Sequence, residues 1–176
     1  MFIIYHLIRE SVLLKIAFFI LNFLFSIVIN AQVNKDSDLF LALQKNDSLL
    51  FQSAFNKCKH SDIVNLIDTD LEFYHDQSGI TNGKQTFLKT LKENICSNPN
   101  SKPIRKLVAN SLEVYPMYNN GKLYAAIQKG KHNFYLNEAG KIRPTVTADF
   151  THLWLKKENT WMLKRVLSYN HHPIQH

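Results

Sequence analysis

Histidines on apolar strand faces are the residues of this sequence that are best suited to chemistry. In residues 145–157, the alternation of side chains along a strand places Phe150, His152 and Trp154 on one face. His152 therefore lies between two aromatic residues, where burial lowers the pKa of an imidazole and a hydrogen bond sets its tautomer. It is the first candidate for a general base or a ligand-orienting group, and a satisfied core histidine is the alternative.

His75 is the second catalytic candidate, and it is not predicted to pair with its neighbour Asp76. His75 shares a strand face with Phe73, whereas Asp76 points to the opposite side. A carboxylate just before the turn formers at 77–79 is typical of a residue that accepts backbone N–H bonds. As an inward partner for His152 we expect His75 or Tyr169.

A metal site is not predicted. His132 follows a suspected β-bulge at 129–130, so its face is uncertain from sequence. A metal site would require His75, His132 and His152 to converge, and no pair of them has the helical spacing of a zinc motif. The histidines at 171, 172 and 176 are expected to face solvent beyond the last strand.

Serine-hydrolase, nucleotide-binding and nucleic-acid-binding functions are also not predicted. Ser53 and Ser168 lack the GxSxG context, and no glycine-rich phosphate loop is present. The net charge of +7 is spread over helices, turns and strands rather than clustered. We therefore expect no cofactor and no nucleic-acid partner.

These side chains must be positioned by helices in the first half of the chain and strands in the second. Apolar residues recur at helical spacing over 38–58 and 87–95, with a short helix at 62–67 and a strand at 71–76 between them. After Pro103, β-branched and aromatic residues joined by short turns predict an antiparallel meander. Its four strands are 105–118, 123–136, 145–157 and 160–169. The fold class is α+β, with the helices covering the concave face of a curved, mostly antiparallel sheet.

The order of these elements and four segments resemble the nuclear transport factor 2-like superfamily, which includes SnoaL-like polyketide cyclases and many exported bacterial proteins. The segments are FQSAF at 51–55, LEFYHDQSG at 71–79, FTHLW at 150–154 and WMLKRVLS at 161–168. The resemblance covers 36–172 and implies a cone-shaped fold, a pocket inside the cone and frequent dimerisation through the sheet. It does not imply one activity, because the superfamily includes enzymes, binding modules and assembly domains.

The pocket that the resemblance implies is expected to be lined by eight residues. They are Phe73, His75, Tyr115, His132, Phe150, His152, Trp154 and Tyr169. Their aromatic rings suit a small, partly hydrophobic molecule, and they would equally suit the sheet-to-sheet packing of a homodimer. We predict a small-molecule-binding homodimer. Two alternatives stay open: a cofactor-independent acid–base enzyme (an isomerase, dehydratase or hydrolase) using an inward histidine, and a dimeric interaction module with a filled cone.

Residues 1–31 have the order of a secretory signal peptide. Arg9 and Lys15 precede a mostly apolar run at 16–29, and Ala31 occupies the cleavage position. The run is shorter than the ~20 residues that span a bilayer. We expect cleavage after Ala31, export to the periplasm or beyond, no stable membrane anchor, and a single domain at 32–176.

Two cysteines, Cys58 and Cys96, follow the predicted signal peptide. An oxidising compartment would allow them to form a disulfide. Two buried free thiols are an equal alternative, because buried free cysteine is common and neither residue belongs to a CxxC pattern.

Overall fold

The computed structural model describes residues 31–174. Residues 1–30 of the predicted signal peptide, and His176, lie outside the described residues. Helix α1 spans Asp38–Ser48 and continues in π-helical turns over Leu49–Phe55. Helix α2 spans Lys84–Thr90 and continues likewise over Leu91–Ile95. A 3₁₀ turn at His60–Ile63 lies between them. No helix within residues 31–174 combines the length and the apolarity needed to cross a bilayer.

Seven strands form one mixed sheet. They are β1 (Ile67–His75), β2 (Gly79–Asn82), β3 (Ser101–Leu107), β4 (Glu113–Asn119), β5 (Lys122–Glu138), β6 (Lys141–Lys157) and β7 (Thr160–Pro173). The order is β2-β1-β7-β6-β5-β3, and β4 also pairs with β5. All pairs are antiparallel except β1 with β7, which is parallel. The predicted α+β class is confirmed, and the parallel pair was not predicted.

The core lies between the helices and one face of the sheet. Ser37 caps α1 by accepting a hydrogen bond from the Phe40 backbone N–H, which fixes where the apolar side of the helix begins. That side buries Phe40, Leu43 and Leu50 against the sheet. The sheet contributes fully buried residues from several strands: Ile67, Leu71, Val114, Phe150, Trp154 and Leu163. This packing holds Phe51 and Phe55, which continue from α1, against the inner face of the sheet.

The strand predicted at 105–118 is two strands, because β5 exchanges partners along its length. Its first half pairs with β4 and its second half with β3. The turn between β3 and β4 contains Asn110 at φ 61°, a left-handed conformation that asparagine tolerates. The hydroxyl of Ser111 bonds the Lys131 backbone N–H and so holds this turn against β5. Local strand propensity does not report such a change of partner.

The β-bulge predicted at 129–130 is wrong. The pairing of β5 with β6 runs without a break from Ala125 to Asn133, and Gly130 lies opposite Phe150. A Cβ at Gly130 would come within 2.9 Å of the Phe150 ring. Glycine is needed there because the Phe150 ring occupies the space that a Cβ would take. The uninterrupted alternation puts His132 on the inner face.

The connection between the helices differs from the prediction in three places. The short helix predicted at 62–67 ends at Ile63, and Ile67 already belongs to β1. The strand β2 was not predicted, and it pairs with β1 through the turn before Gly79. The helix predicted from 87 begins three residues earlier, at Lys84, and Gly83 at φ 83° precedes it.

A disulfide joins Cys58 to Cys96. It links the end of the α1 segment to the end of the α2 segment, and the two cysteines are separated by 38 positions in sequence. Of the two states that the sequence left open, a disulfide or two free thiols, the structure has the disulfide. The bond ties the two helical segments together over the sheet.

Candidate functional site

A cavity of about 390 Å³ lies between the two helices and the inner face of the sheet. Most of its wall is apolar, and six phenylalanines contribute to it: Phe51, Phe55, Phe73, Phe87, Phe134 and Phe150. Four histidines are among the polar groups in the wall: His75, His132, His152 and His171. The cavity therefore combines an apolar body with imidazoles, and their protonation decides what it can bind.

A buried ion pair lies behind the cavity wall. The guanidinium of Arg105 on β3 bonds both carboxylate oxygens of Asp47 on α1, at 2.8 and 2.9 Å. Both side chains are almost fully buried, and the guanidinium also lies 3.8 Å from the centre of the Phe51 ring. Burial raises the pKa of Asp47 and lowers that of Arg105, and the attraction between the two charges opposes both shifts. The pair leaves no net charge facing the cavity.

Arg105 also fixes the tautomer of His132. Its Nε–H donates to Nδ1 of His132 at 3.3 Å, so the imidazole proton is on Nε2. Burial, reinforced by the Arg105 charge, lowers the pKa of His132 to about 2, which keeps the ring neutral. Its Nε2 is buried and has no hydrogen-bond partner among residues 31–174. A buried donor without a protein partner is open to an acceptor from water or from a ligand.

Gln128 fixes His152 in the opposite tautomer. The amide nitrogen of Gln128 donates to the Leu43 carbonyl at 2.9 Å, and its oxygen accepts from Nε1 of Trp154 at 2.9 Å. That same oxygen lies 3.3 Å from Nδ1 of His152, which must therefore carry the proton. Nε2 of His152 is then an unprotonated acceptor. Burial and the charge of Arg105 lower the pKa of His152 to about 3.

The two neutral imidazoles therefore offer complementary groups to the same cavity. The ring of Phe150 lies between them, with centroid distances of 5.1 Å to His132 and 4.7 Å to His152. His132 presents a donor and His152 an acceptor. This arrangement suits a neutral polar group that both accepts and donates a hydrogen bond.

A second polar cluster joins β1 to β7 at another part of the cavity wall. Nδ1 of His171 lies 2.5 Å from Oδ1 of Asp76, and the His171 backbone N–H donates to Oδ2 at 3.2 Å. Nε2 of His171 lies 3.3 Å from the hydroxyl of Ser168. The ring of His75 stacks on that of His171 with a centroid distance of 4.4 Å.

This cluster corrects two expectations. His171 was predicted to face solvent, but β7 extends to Pro173 and the His171 side chain is only 3% exposed. Asn170 adopts φ 59° where the pairing of β6 with β7 shifts, which turns His171 back to the side of Ser168. Asp76 was expected to serve its turn and to point away from His75, yet it accepts two bonds from His171, and its Oδ1 lies 3.5 Å from Nδ1 of His75. Alternation alone could not show this, because the shift of register depends on the partner strand.

The structure brings five of the eight predicted lining residues to the cavity. They are Phe73, His75, His132, Phe150 and His152. Trp154 lies in the core and bonds Gln128, Tyr115 bonds Glu113 on β4, and Tyr169 is 41% exposed. The predicted pairing of His152 with His75 or Tyr169 is replaced by its contact with Gln128.

Asp47, Arg105 and Gln128 were not predicted from the sequence. Each is a polar residue that is buried by a contact between distant elements, and a charged or amide residue in an amphipathic segment ordinarily faces water. A weak signal was available for Gln128, which directly follows the apolar run Ala125-Ala126-Ile127 on a central strand.

Comparison with solved structures identifies the fold. An NTF-2 like protein of unknown function from Shewanella oneidensis MR-1 superposes with a TM-score of 0.51 at 20% identity, over 72% of this chain and 93% of that chain. For the protein Aln2 from a Streptomyces species the TM-score is 0.60 at 6% identity, over 76% and 90%. A protein from Catenulispora acidiphila in complex with S-DNPA gives 0.58 at 9% identity, over 74% and 92%. No protein-family model matches the chain, and no curated protein matches it in sequence.

The chain therefore has the nuclear transport factor 2-like fold of these bacterial proteins, and the predicted resemblance is confirmed at the level of fold. One neighbour holds a ligand and another has no known function, so a ligand-binding or enzymatic role is compatible with the fold. At such low identity the fold does not carry the function, which has to be argued from the site.

Proposed function

We propose that this protein binds a small, neutral, partly hydrophobic molecule inside the cone, and that it does so after export. The observation that carries the proposal is the pair of opposite tautomers, the donor Nε2–H of His132 and the acceptor Nε2 of His152, in one largely apolar cavity. A cavity of about 390 Å³ lies within the range of small-molecule sites. Export is supported by the signal-like order of residues 1–31.

The charge balance supports a neutral ligand. Both imidazoles remain neutral, and the charge of Arg105 is compensated by Asp47. A carboxylate would lose its hydration on entering and would meet no uncompensated positive charge. An amide or an enol would lose less hydration free energy than a carboxylate. It could also accept a hydrogen bond from His132 and donate one to His152.

The acidity of His152 argues for binding rather than for general-base catalysis by this residue. A general base works best when its pKa is near the working pH. The pKa of His152 is about 3, so its Nε2 is a weak base at neutral pH while remaining a competent hydrogen-bond acceptor. The predicted acid–base enzyme that uses this histidine is therefore the less favoured alternative.

The proposal is tested with 2-naphthamide, a flat apolar body with one neutral amide, and with 2-naphthoate and 2-acetonaphthone as matched probes. We expect calorimetric titration to detect the amide, with weaker binding of the ketone, which cannot donate, and of the charged acid. His132→Phe should weaken binding of the amide by about tenfold, the value of one hydrogen bond. Tyr118→Phe, at an exposed position, is the control. Equal affinity of all three probes, or of His132→Phe and the unmodified chain, would contradict the proposal.

A further inference from the structure

We propose that Asp76, His171 and Ser168 form a catalytic triad that hydrolyses a small, partly hydrophobic ester at the cavity wall. These three residues are called the relay below. This goes beyond ligand binding, because it adds a covalent acyl-enzyme step. The relay uses neither Arg105 nor Gln128, which set the tautomers of His132 and His152. Hydrolysis can therefore be lost while binding in the cavity is retained, and binding can be lost while the relay stays intact.

The hydrogen bonds of the cluster have the order that a serine nucleophile requires. The two bonds from His171 to Asp76, through the ring Nδ1 and the backbone N–H, hold the imidazole in one orientation with the proton on Nδ1. Nε2 is then an unprotonated acceptor 3.3 Å from the Ser168 hydroxyl. A nucleophile next to a base that is itself oriented by a third group is the general signature of covalent catalysis. The geometry defines the relay, although the GxSxG motif is missing.

The surroundings of the cluster favour the same function. Ser168 is 6% exposed and the side chain of His171 is 3% exposed, yet both line the cavity. Burial acts to raise the pKa of Asp76, but its hydrogen bonds from His171 outweigh this and hold the pKa below its ordinary value, so the carboxylate is ionised. The Asp76 backbone N–H also donates to the Ser168 carbonyl at 3.1 Å, which fixes the two strands side by side.

His75 supplies a donor for the carbonyl oxygen of an ester. Its Nδ1 accepts the Gln77 backbone N–H at 3.1 Å, so its proton is on Nε2. The residue is the parallel-strand partner of Ser168, and its ring stacks on that of His171. A donor beside the nucleophile is what the charge developing on the carbonyl oxygen requires.

A metal site is the competing use of the same side chains. One ligand atom each from His75, Asp76 and His171 lie within 4.8 Å of one another. However, both ring nitrogens of His171 and Nδ1 of His75 already have hydrogen-bond partners, and a metal would have to break the contact between His171 and Asp76. The observed bonds therefore favour the relay.

The reaction proceeds in two balanced steps. The Ser168 oxygen attacks the ester carbonyl carbon while its proton passes to Nε2 of His171. The C–O bond to the alcohol then breaks, and the alcohol leaves with that proton, which produces an acyl-serine. Water next attacks the acyl carbon, gives a proton to His171 and releases the carboxylic acid, and the proton returns to Ser168. Only the ester and water are consumed.

The test is labelling of the folded full chain by an alkyl fluorophosphonate, together with turnover of p-nitrophenyl butyrate. In labelling, an O–P bond forms at Ser168 while the hydroxyl proton passes to Nε2 of His171, the P–F bond breaks and fluoride leaves. We expect one label, which mass spectrometry locates on Ser168, and none in Ser168→Ala. His171→Gln should slow labelling and turnover by about a hundredfold or more, the usual value of a general base. Ser61→Ala removes an exposed serine and should change neither.

Circular dichroism of each variant checks that it is folded, and Ser168→Cys gives a second nucleophile if the alanine variant unfolds. The cysteine variant should react with iodoacetamide at position 168, and His171→Gln in that background should slow the reaction. The proposal is overturned if the unmodified chain takes no label at Ser168, or if labelling is equally fast in folded His171→Gln. Turnover that survives Ser168→Ala and is lost with EDTA would assign the cluster to a metal instead.

Discussion

Each buried imidazole owes its tautomer to one neighbour. Arg105 makes His132 a donor, and Gln128 makes His152 an acceptor. The sequence pointed to His152 through the alternation of its strand, because alternation is a local property. It could not identify the partner, because Gln128 reaches His152 only when β5 and β6 pair in this register. Predicting the residue was therefore possible, whereas predicting its chemistry required the fold.

At the residue scale, the buried histidines predict a loss of stability in acid. In the unfolded chain an imidazole takes up a proton as the pH falls through its ordinary value of 6.5, whereas folded His152 does so only near 3. The unfolded state binds more protons between these values, so the free energy of unfolding falls as pH decreases. The slope should reach about 1.4 kcal/mol per pH unit for this residue.

Urea unfolding of the unmodified chain and of His152→Gln, between pH 7 and pH 4, measures this slope. The difference between the two proteins isolates His152, because Asp47, Arg105 and His132 are common to both. We expect the glutamine variant to lose less stability per pH unit. Parallel pH profiles would show that His152 is protonated in the folded state or exposed to water.

At the scale of elements, the sequence predicted each segment better than its partners. The long first helix and the strands β5, β6 and β7 follow from periodicity, which depends only on nearby residues. The division of the predicted strand at 105–118 and the parallel pairing of β1 with β7 depend on residues far apart in the chain. Gly130 shows the limit clearly: its sequence context suggests a bulge, but the reason for glycine is a ring from the next strand.

Gly130→Ala is the test of that explanation. A methyl group at this position would overlap the ring of Phe150, and overpacking of this kind costs about 1–3 kcal/mol of unfolding free energy. In a Phe150→Leu background the same substitution should cost less, because the smaller side chain leaves room. A double-mutant cycle from chemical denaturation gives the coupling between the two positions. Additive effects would show that the ring is not the cause.

At the scale of the whole molecule, the outer face of the sheet carries an apolar patch formed by Tyr74, Ile80, Leu167 and Tyr169. Each is at least 40% exposed, and Tyr74 pairs in register with both Ile80 and Leu167. Such a contiguous exposed patch is typical of an interaction surface. The patch supports the homodimer expected from the sequence, which stays a prediction.

Light scattering at micromolar concentration should give about twice the mass of the chain. Leu167→Glu places a charge in the patch and should shift the protein to the monomer. Ile142→Glu, at a more exposed position on β6 outside the patch, should leave the mass unchanged. A monomeric unmodified protein would make the patch ordinary surface.

The parallel pairing of β1 with β7 also determines when the molecule can become complete. Asp76 and His171, which meet across these strands, are 95 positions apart in the chain. During synthesis, the helices and the β5–β6 hairpin can form from neighbouring residues, but β1 must wait for β7 to emerge. Until then one side of the cavity is open and an edge of the sheet is unpaired, and such an intermediate is prone to aggregation. The pairing of β1 with β7 thus completes the cavity and the sheet in the same late event in folding.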